Sequence, residues 1–219
     1  MRPLLTLLLI SLPLQAGALD LDNELIGIRL DWNRYDSVLI LGETERETRL
    51  THVALMLNEP FGKRFYGGLR LGYVDVSQND NPDVAGLSIY GNSLGIRLGA
   101  FLIHNETIDV ILQGDYDYLR ANGKEDDQEV DFNWAQSNIQ LVAILKLGWL
   151  RLSGSAYQYD IDGDQKLRGP INSTTRFNNT ENTGTSVGIE FQVDPTGYIG
   201  AHSESGAREG MKITFVREF

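Results

Sequence analysis

Side chains of opposite character alternate along this chain, and that period of two restricts its fold more than any other feature. From 65 to 73, Phe65, Leu69, Leu71 and Tyr73 share one parity while Gly68, Arg70 and Gly72 hold the other. Across 94–102, Leu94, Ile96, Leu98, Ala100 and Leu102 oppose Gly95, Arg97 and Gly99. Across 108–118, Ile108, Val110, Leu112, Tyr116 and Tyr118 oppose Asp109, Gln113, Asp115 and Asp117. Successive residues of a strand point to opposite faces, so each window reads as a strand with one apolar and one polar face. No window carries a competing helical stripe, and the class is all-β. Less regular strands are expected at 24–33, 48–57, 132–147, 149–160, 185–193, 197–203 and 211–219, which makes ten. Near Gly91 the alternation slips by one, which predicts a β-bulge. Several segments exceed the usual soluble strand of about 5–6 residues and fit membrane strands of about 9–11.

The connections also alternate. Long polar segments are expected at 34–46, 77–86, 121–130 and 161–184, with a shorter one at 204–210. Between them lie tight turns at 58–63, 104–106, 147–149 and 194–197. Short turns on one side and long loops on the other are the topology of an antiparallel transmembrane β-barrel, with periplasmic turns and extracellular loops. An even strand number puts both termini on the short-turn side.

The N-terminal residues read as a secretory signal peptide over 1–18, followed by a single barrel domain over 19–219. Arg2 supplies a positive start, 4–14 an apolar run, and Ala16-Gly17-Ala18 a small-residue cleavage site. The run is too short for a transmembrane helix of about 20 residues. The chain has no Cys, which removes disulfides, thiolate catalysis and Cys-based metal sites. A formal charge of -11 argues against nucleic acid as a partner, because phosphates need a basic surface. A mean hydropathy of -0.22 is compatible with a barrel, since alternating faces average out.

Alternation alone also fits a soluble, lipocalin-like barrel with its apolar face inward. Three features favour the membrane form. Full charges sit in mid-strand on the polar face: Arg29, Asp31, Arg70, Arg97, Asp109, Asp115, Arg151 and Glu190. These are expected to line the lumen as an ion-paired network that rigidifies the barrel, or alternatively to line a narrow pore. Tyr73, Tyr116, Tyr118 and Phe219 fall on the apolar face near strand ends, where aromatic girdles sit. The last strand, finally, ends on an apolar-face aromatic. That ending, Met211-Lys212-Ile213-Thr214-Phe215-Val216-Arg217-Glu218-Phe219, resembles the C-terminal signal of bacterial outer-membrane proteins. The resemblance implies that Phe215 and Phe219 face lipid and are read by the barrel-assembly machinery. It also implies contact with outer-membrane lipid and lipopolysaccharide. Arg217 departs from the pattern, standing where an apolar residue is usual, and its stem would snorkel to the interface. The stretch 66–100, an acidic loop between two Gly-rich strands, is similar to YfaZ-type outer-membrane proteins.

Three motifs carry possible chemistry. Asp160-Ile161-Asp162-Gly163-Asp164 spaces three carboxylates at alternate positions, a weak metal candidate, but an EF-hand loop wants Gly at the sixth position and Glu at the twelfth. It is expected to be an acidic loop tip. His202-Ser203-Glu204-Ser205 resembles the His/Ser/Glu set of barrels that deacylate lipid A. Adjacent strand residues diverge, however, so His202 and Ser203 should not meet. Omptin-type proteases, also ten-stranded, need a His with acidic partners at the outer rim, and of His52, His104 and His202 only the last is expected to approach it. The expected function is therefore a non-enzymatic outer-membrane barrel, structural or surface-interacting, with a charge-plugged lumen and no cofactor. A narrow pore for small solutes or ions comes next, and a lipid- or peptide-processing enzyme after it.

Overall fold

The computed structural model describes residues 27–78, 80–170 and 172–219. The expected leader, its cleavage site and the start of the 24–33 strand lie outside the described residues. The elements are β1 (Gly27–Leu41), β2 (Thr44–Phe61), β3 (Phe65–Ser77), β4 (Ile89–His104), β5 (Ile108–Glu125), β6 (Gln128–Leu147), β7 (Leu150–Arg168), β8 (Ser173–Asn179), β9 (Thr183–Asp194), β10 (Gly197–Gly206) and β11 (Glu209–Glu218).

Consecutive strands pair antiparallel, except that β7 pairs with β9 past β8. The sheet closes on itself where β1 meets β11, from Gly27 opposite Glu218 to Asp36 opposite Glu209. Closure satisfies the backbone polar groups of both edge strands, which a bilayer core requires. The fold is thus an antiparallel β-barrel whose ring has ten strands, as the alternation predicted. The eleventh, β8, lies within the expected 161–184 loop. It pairs with β7 through Asp162–Leu167 and with β1 through Leu39–Leu41, bridging the two beyond the ends of the shorter β9, β10 and β11.

At one end of the ring the connections are the expected tight turns. Gly62 and Gly148 take φ of +75° and +65° there, a conformation that suits residues without a Cβ. In the turn after β9, the Thr196 backbone N–H donates to Asp194 Oδ1 at 2.9 Å and holds that carboxyl below its ordinary range. Arg217 reaches the same carboxylate at 3.5 Å and lies 5.7 Å from the Phe219 ring.

Around the ring runs an outward apolar band. It includes Leu55 and Leu57 on β2, Leu69 and Leu71 on β3, Leu94, Ile96 and Leu98 on β4, and Ile139, Leu141 and Leu145 on β6, all exposed. From Ile139 to Leu147 the strand runs roughly 27 Å at about 3.3 Å per residue. These nine residues match the length of a tilted membrane strand, about 9–11. Aromatics rim the band. Phe61 stacks on Phe65, and Trp149 on Phe191, at the short-turn end; Tyr73 stacks on Tyr90 toward the other. Phe215 and Phe219 face outward, while Lys212 and Thr214 face in.

Toward the opposite, hairpin end the structure departs from the expected long loops. Segments 34–46 and 121–130 are continuous strand with two-residue turns, and 204–210 is a tight hairpin. In these extensions the polarity of the faces inverts. On β1, outward Ile28 and Leu30 give way to Arg34 and Asp36, while inward Arg29 and Asp31 give way to Tyr35 and Leu39. On β7, outward Leu152 gives way to Asp160 and Asp162, and inward Arg151 and Ser153 to Tyr157, Tyr159 and Ile161. Beyond the bilayer the surroundings are water, so the outer face turns polar and the inner face forms a core. Apolar residues in short polar-flanked runs resemble loop in the sequence because the inversion breaks the parity on which the strand signal rests.

The same inversion corrects the expected bulge at Gly91. From Tyr90 to Phe101, β4 keeps unbroken register with β5, and the irregularity falls between Phe101 and Ile103. Ile89 points inward, 1% exposed, whereas Leu94 and Ile96 point out. The strand did not slip; its surroundings changed.

Because of this inversion, one substitution should have unequal consequences along β6. Leu141→Arg, outward near the middle of the band, should cost about 2–4 kcal/mol, whereas Asn133→Arg, outward on the extension, should stay within about 1 kcal/mol. Urea titration of the protein folded into lipid vesicles reads both, and equal costs would contradict the boundary.

Candidate functional site: a lumen in three layers

Inward side chains divide the lumen into a charged middle, an apolar cap toward the hairpins and a cavity toward the short turns. The middle is organised by Asp115 on β5. Its Oδ1 accepts from Arg97 Nε at 2.5 Å and from Arg70 Nη2 at 3.2 Å, and its Oδ2 from Gln113 Nε2 at 3.0 Å. Arg70 Nη1 also donates to Asp117 Oδ2 at 2.5 Å. These groups follow from alternation: Asp115 and Asp117 share the inward parity of β5, and Arg97 lies directly opposite Asp115 on β4. Gly95, opposite Asp117, makes room, since a Cβ there would collide with Asp117 Oδ1. Nearby, Arg29 Nε donates to Asp31 Oδ1 at 2.8 Å, and Thr214 Oγ1 to the same oxygen at 2.7 Å. His52 Nε2 and Ser93 Oγ lie 2.7 Å apart on the same wall. A polar gap of about 50 Å³ among these side chains has room for water and nothing larger.

The eight charges read from the sequence thus separate. Arg29, Asp31, Arg70, Arg97 and Asp115 meet in the middle layer. Asp109 lies at the short-turn end, 2.8 Å from both His104 Nδ1 and Lys146 Nζ. Arg151 stacks 3.6 Å above the Tyr198 ring and stands 3.9 Å from Glu218. Glu190 faces His202 at 3.4 Å. Asp160, Asp162 and Asp164 occupy successive outward positions of β7 instead of a loop tip. Alternate strand positions lie about 7 Å apart, so the three carboxylates do not converge. No group of three His, Asp or Glu able to hold a metal occurs among the described residues.

Above the charged layer, Arg208 lies in a cage of tyrosines. Its guanidinium is 4.6 Å from the Tyr159 ring centre, 4.7 Å from Tyr157 and 5.5 Å from Tyr35, and Nε is 3.0 Å from Glu204. Tyr159 donates to Gln136 Oε1 at 2.8 Å. Arg208 and Glu204 fall in the segment 204–210, expected as a loop. The inward pair Tyr157 and Tyr159, two residues apart in a run of outward polar residues, was the available signal. Over this cage lies an apolar core that the sequence reading missed: Leu39, Leu50, Val76, Phe132, Trp134, Ile161 and Phe177, with Val74 and Val130 fully buried. The gap among them, about 10 Å³, is too small and too apolar to hold water. This core adds an apolar layer above the charged one.

Toward the short turns the lumen opens into a cavity of about 620 Å³ that reaches Pro60, Gly62 and Lys63. One wall, from β4 to β6, carries Phe101, Ile111, Val142 and Ile144; the opposite wall carries Arg29, Arg151, Ser153, Glu190, His202 and Lys212. His202 Nδ1 lies 3.5 Å from Ser153 Oγ and Nε2 lies 3.4 Å from Glu190 Oε1. This is the order carboxylate, imidazole, hydroxyl, but both contacts are at the long limit of hydrogen bonding. Ser203 and Ser205 point outward and do not meet His202, in keeping with their parity. His52 is buried in mid-barrel and His104 lies at the short-turn end.

No protein-family model and no curated protein matches the chain. Solved structures do resemble its fold. The translocator domain of the autotransporter NalP from Neisseria meningitidis superposes with a TM-score of 0.53 at 10% identity, over 92% of this chain and 91% of that one. The outer membrane protease OmpT from Escherichia coli gives 0.54 at 8% identity, over 90% and 97%. The likeness is one of fold, that of outer-membrane β-barrels.

The charged layer predicts a steep contrast in stability. Asp115→Asn leaves two guanidinium groups facing a neutral amide and should cost about 3–5 kcal/mol. Glu129→Gln breaks a pair whose Arg168 side chain is 59% exposed and should cost less than about 1 kcal/mol. Urea unfolding from vesicles measures both, and similar losses would count against a middle layer that depends on ion pairing.

Proposed function

We propose that this protein is a sealed outer-membrane barrel, non-enzymatic, that serves a structural or surface-interaction role. The observation that carries this reading is the apolar core across the hairpin end of the lumen. A solute entering from the short turns would meet paired charges, then the Arg208 cage, then closely packed Phe132, Trp134 and Phe177. In this reading the short turns face the periplasm and the hairpins face outward, as in other outer-membrane barrels. The outward charges of the extensions, among them Arg34, Asp36, Asp160 and Asp162, meet water and the lipopolysaccharide surface. Phe215 and Phe219 serve as the segment read by the barrel-assembly machinery. The similarity of 66–100 to YfaZ-type proteins belongs to the same reading.

A narrow pore has less support, because it requires the core to move aside. An enzyme has less support because Ser153, His202 and Glu190 touch only at the long limit of hydrogen bonding, and His202 faces the short-turn cavity instead of the outer rim.

In a planar bilayer the purified protein should produce no steady current steps. Steps that disappear on changing Arg70 or Arg97 would overturn the sealed reading in favour of the pore. Hydrolysis of short-chain p-nitrophenyl esters should be the same for the wild type and Ser153→Ala, at the level of empty vesicles. A rate that depends on Ser153 would make the protein an enzyme.

A further inference from the structure

The short-turn cavity has the build of a ligand site, and we propose that it binds an anionic amphiphile: a short apolar chain carrying a phosphate or carboxylate head. The inference goes beyond a sealed barrel, since it concerns what the open end can hold.

Three observations carry it. The first is size, since about 620 Å³ falls within the range of small-molecule sites. The second is the division of the walls. Phe101, Ile111, Val142 and Ile144 turn into the lumen from three adjacent strands, although this part of the barrel lies within the membrane band. Outward positions there are apolar because they meet lipid; inward apolar positions need another explanation. The part of this wall left open to the cavity is unfavourable by about 25 cal/mol per Å² until something covers it.

The third is charge. The chain carries -11 overall, yet the cavity is lined by five cationic side chains, Arg29, Lys63, Arg97, Arg151 and Lys212, against the carboxylates of Glu190 and Glu218. Arg29 and Arg97 lean on Asp31 and Asp115 behind them, and Arg151 has Glu218 at 3.9 Å. Lys212 is different. Among the described residues its ammonium has no hydrogen bond and no ion pair within 4 Å; it borders both this cavity and the charged middle layer, where Asp31 and Glu204 act on it from farther off. An ammonium with no counter-ion in contact gains a charge-assisted hydrogen bond when an anion lies beside it. A head group at Lys212 and Arg151 places its chain toward Val142 and Ile144 on the facing wall. A free inorganic anion would satisfy the charges and leave the apolar strip bare.

Isothermal titration of the full barrel in lipid nanodiscs, with empty nanodiscs as the blank, tests this with three probes: hexyl phosphate, inorganic phosphate and 1-hexanol. Hexyl phosphate should bind saturably and at least tenfold more tightly than either of the others. Lys212→Gln should weaken it tenfold or more, and Ile144→Ser should weaken hexyl phosphate while leaving inorganic phosphate unchanged. Gel mobility before and after boiling checks that each variant has folded. If Lys212→Gln does not fold, Arg151→Gln carries the same test. Equal affinity for hexyl phosphate and inorganic phosphate would overturn the amphiphile assignment. Binding that is unmoved by the Lys212 or Arg151 substitution would overturn the site itself. Neither result bears on whether the hairpin end conducts, which the bilayer recording decides separately.

Discussion

Closure of the sheet through the β1–β11 pairing is the constraint on which the rest of the structure depends. A closed ring has no edge, so its backbone polar groups are satisfied within the wall, and the wall can cross hydrocarbon. Closure also divides the side chains into two sets that cannot exchange. A residue faces the lumen or the surroundings according to its parity, and only a bulge can change that. β1 keeps one parity over its full length against β2, from Gly27 opposite Asn58 to Leu41 opposite Thr44. The surroundings, however, change from lipid to water partway along. Each long strand therefore has to be written twice: apolar outside at Ile28 and Leu30, polar outside at Arg34 and Asp36. The inner face follows in reverse, because a water-facing extension without an apolar interior would have little to hold it together.

The charged layer sits where these two regimes meet. In the membrane band the lumen cannot be filled with the same residues as the outer face, or the barrel would have no preferred inside. Arg70, Arg97, Asp115 and Asp117 give it one. Their mutual geometry supplies much of what solvent would otherwise supply, with two guanidinium groups on Asp115, an amide from Gln113 beside them and one from Gln136 on Asp117, whose Oδ1 has no hydrogen-bond partner among the described residues. Pairing across β3, β4 and β5 also penalises any slip, since a shift of one residue would turn Asp115 and Arg97 into lipid. A buried ion pair is weak evidence of stability in itself. Its use here is register.

How much of this could be read from the sequence depended on whether a local signal survived the change of surroundings. The membrane stretches of β3, β4 and β5 were legible because Leu69, Leu94 and Leu112 lie in windows that stay within one medium. The ring size followed from them and from turns marked by Gly62, Gly148 and Pro195. The extensions were not legible. Tyr35, Phe132 and Ile161 each stand alone between polar neighbours, and nothing local says that they converge from three strands. β8 was hidden in the same way, since Thr174, Arg176 and Asn178 resemble a polar loop until Phe177 is seen packing against Phe132 and Trp134. Among the site residues, the mid-strand charges were legible because a full charge opposite a lipid-facing run has to point inward. Which of them touch was not, because the contacts of Arg70 and Arg208 depend on the reach of long side chains across the lumen. Asp109, Arg151 and Glu190 shared the parity but sit farther along their strands, at the level of the short-turn cavity or its rim, where nearer partners take them.

Toward the hairpins β8 takes the place of β9, β10 and β11 between β7 and β1, and side-chain size changes with the wall. Toward the hairpins the inward positions of β1, β6 and β7 carry Tyr35, Trp134, Tyr157 and Tyr159. Toward the short turns the inward positions of β7 and β9 carry Ser153, Ser155, Ser186 and Gly188, and the Ser155 and Ser186 hydroxyls lie 2.7 Å apart across the two strands. Large residues fill one end and small ones leave the other open. Gly188 makes the point locally: a Cβ there would collide with the His202 ring, so the chain has given up a side chain to let an imidazole lie flat against the wall. Such a cavity is not a remnant of poor packing, since a barrel that fills its other end with three tyrosines and a tryptophan has the means to fill this one. The open volume lies beside Lys212 and faces an apolar wall, and a structural explanation has to account for all three features together.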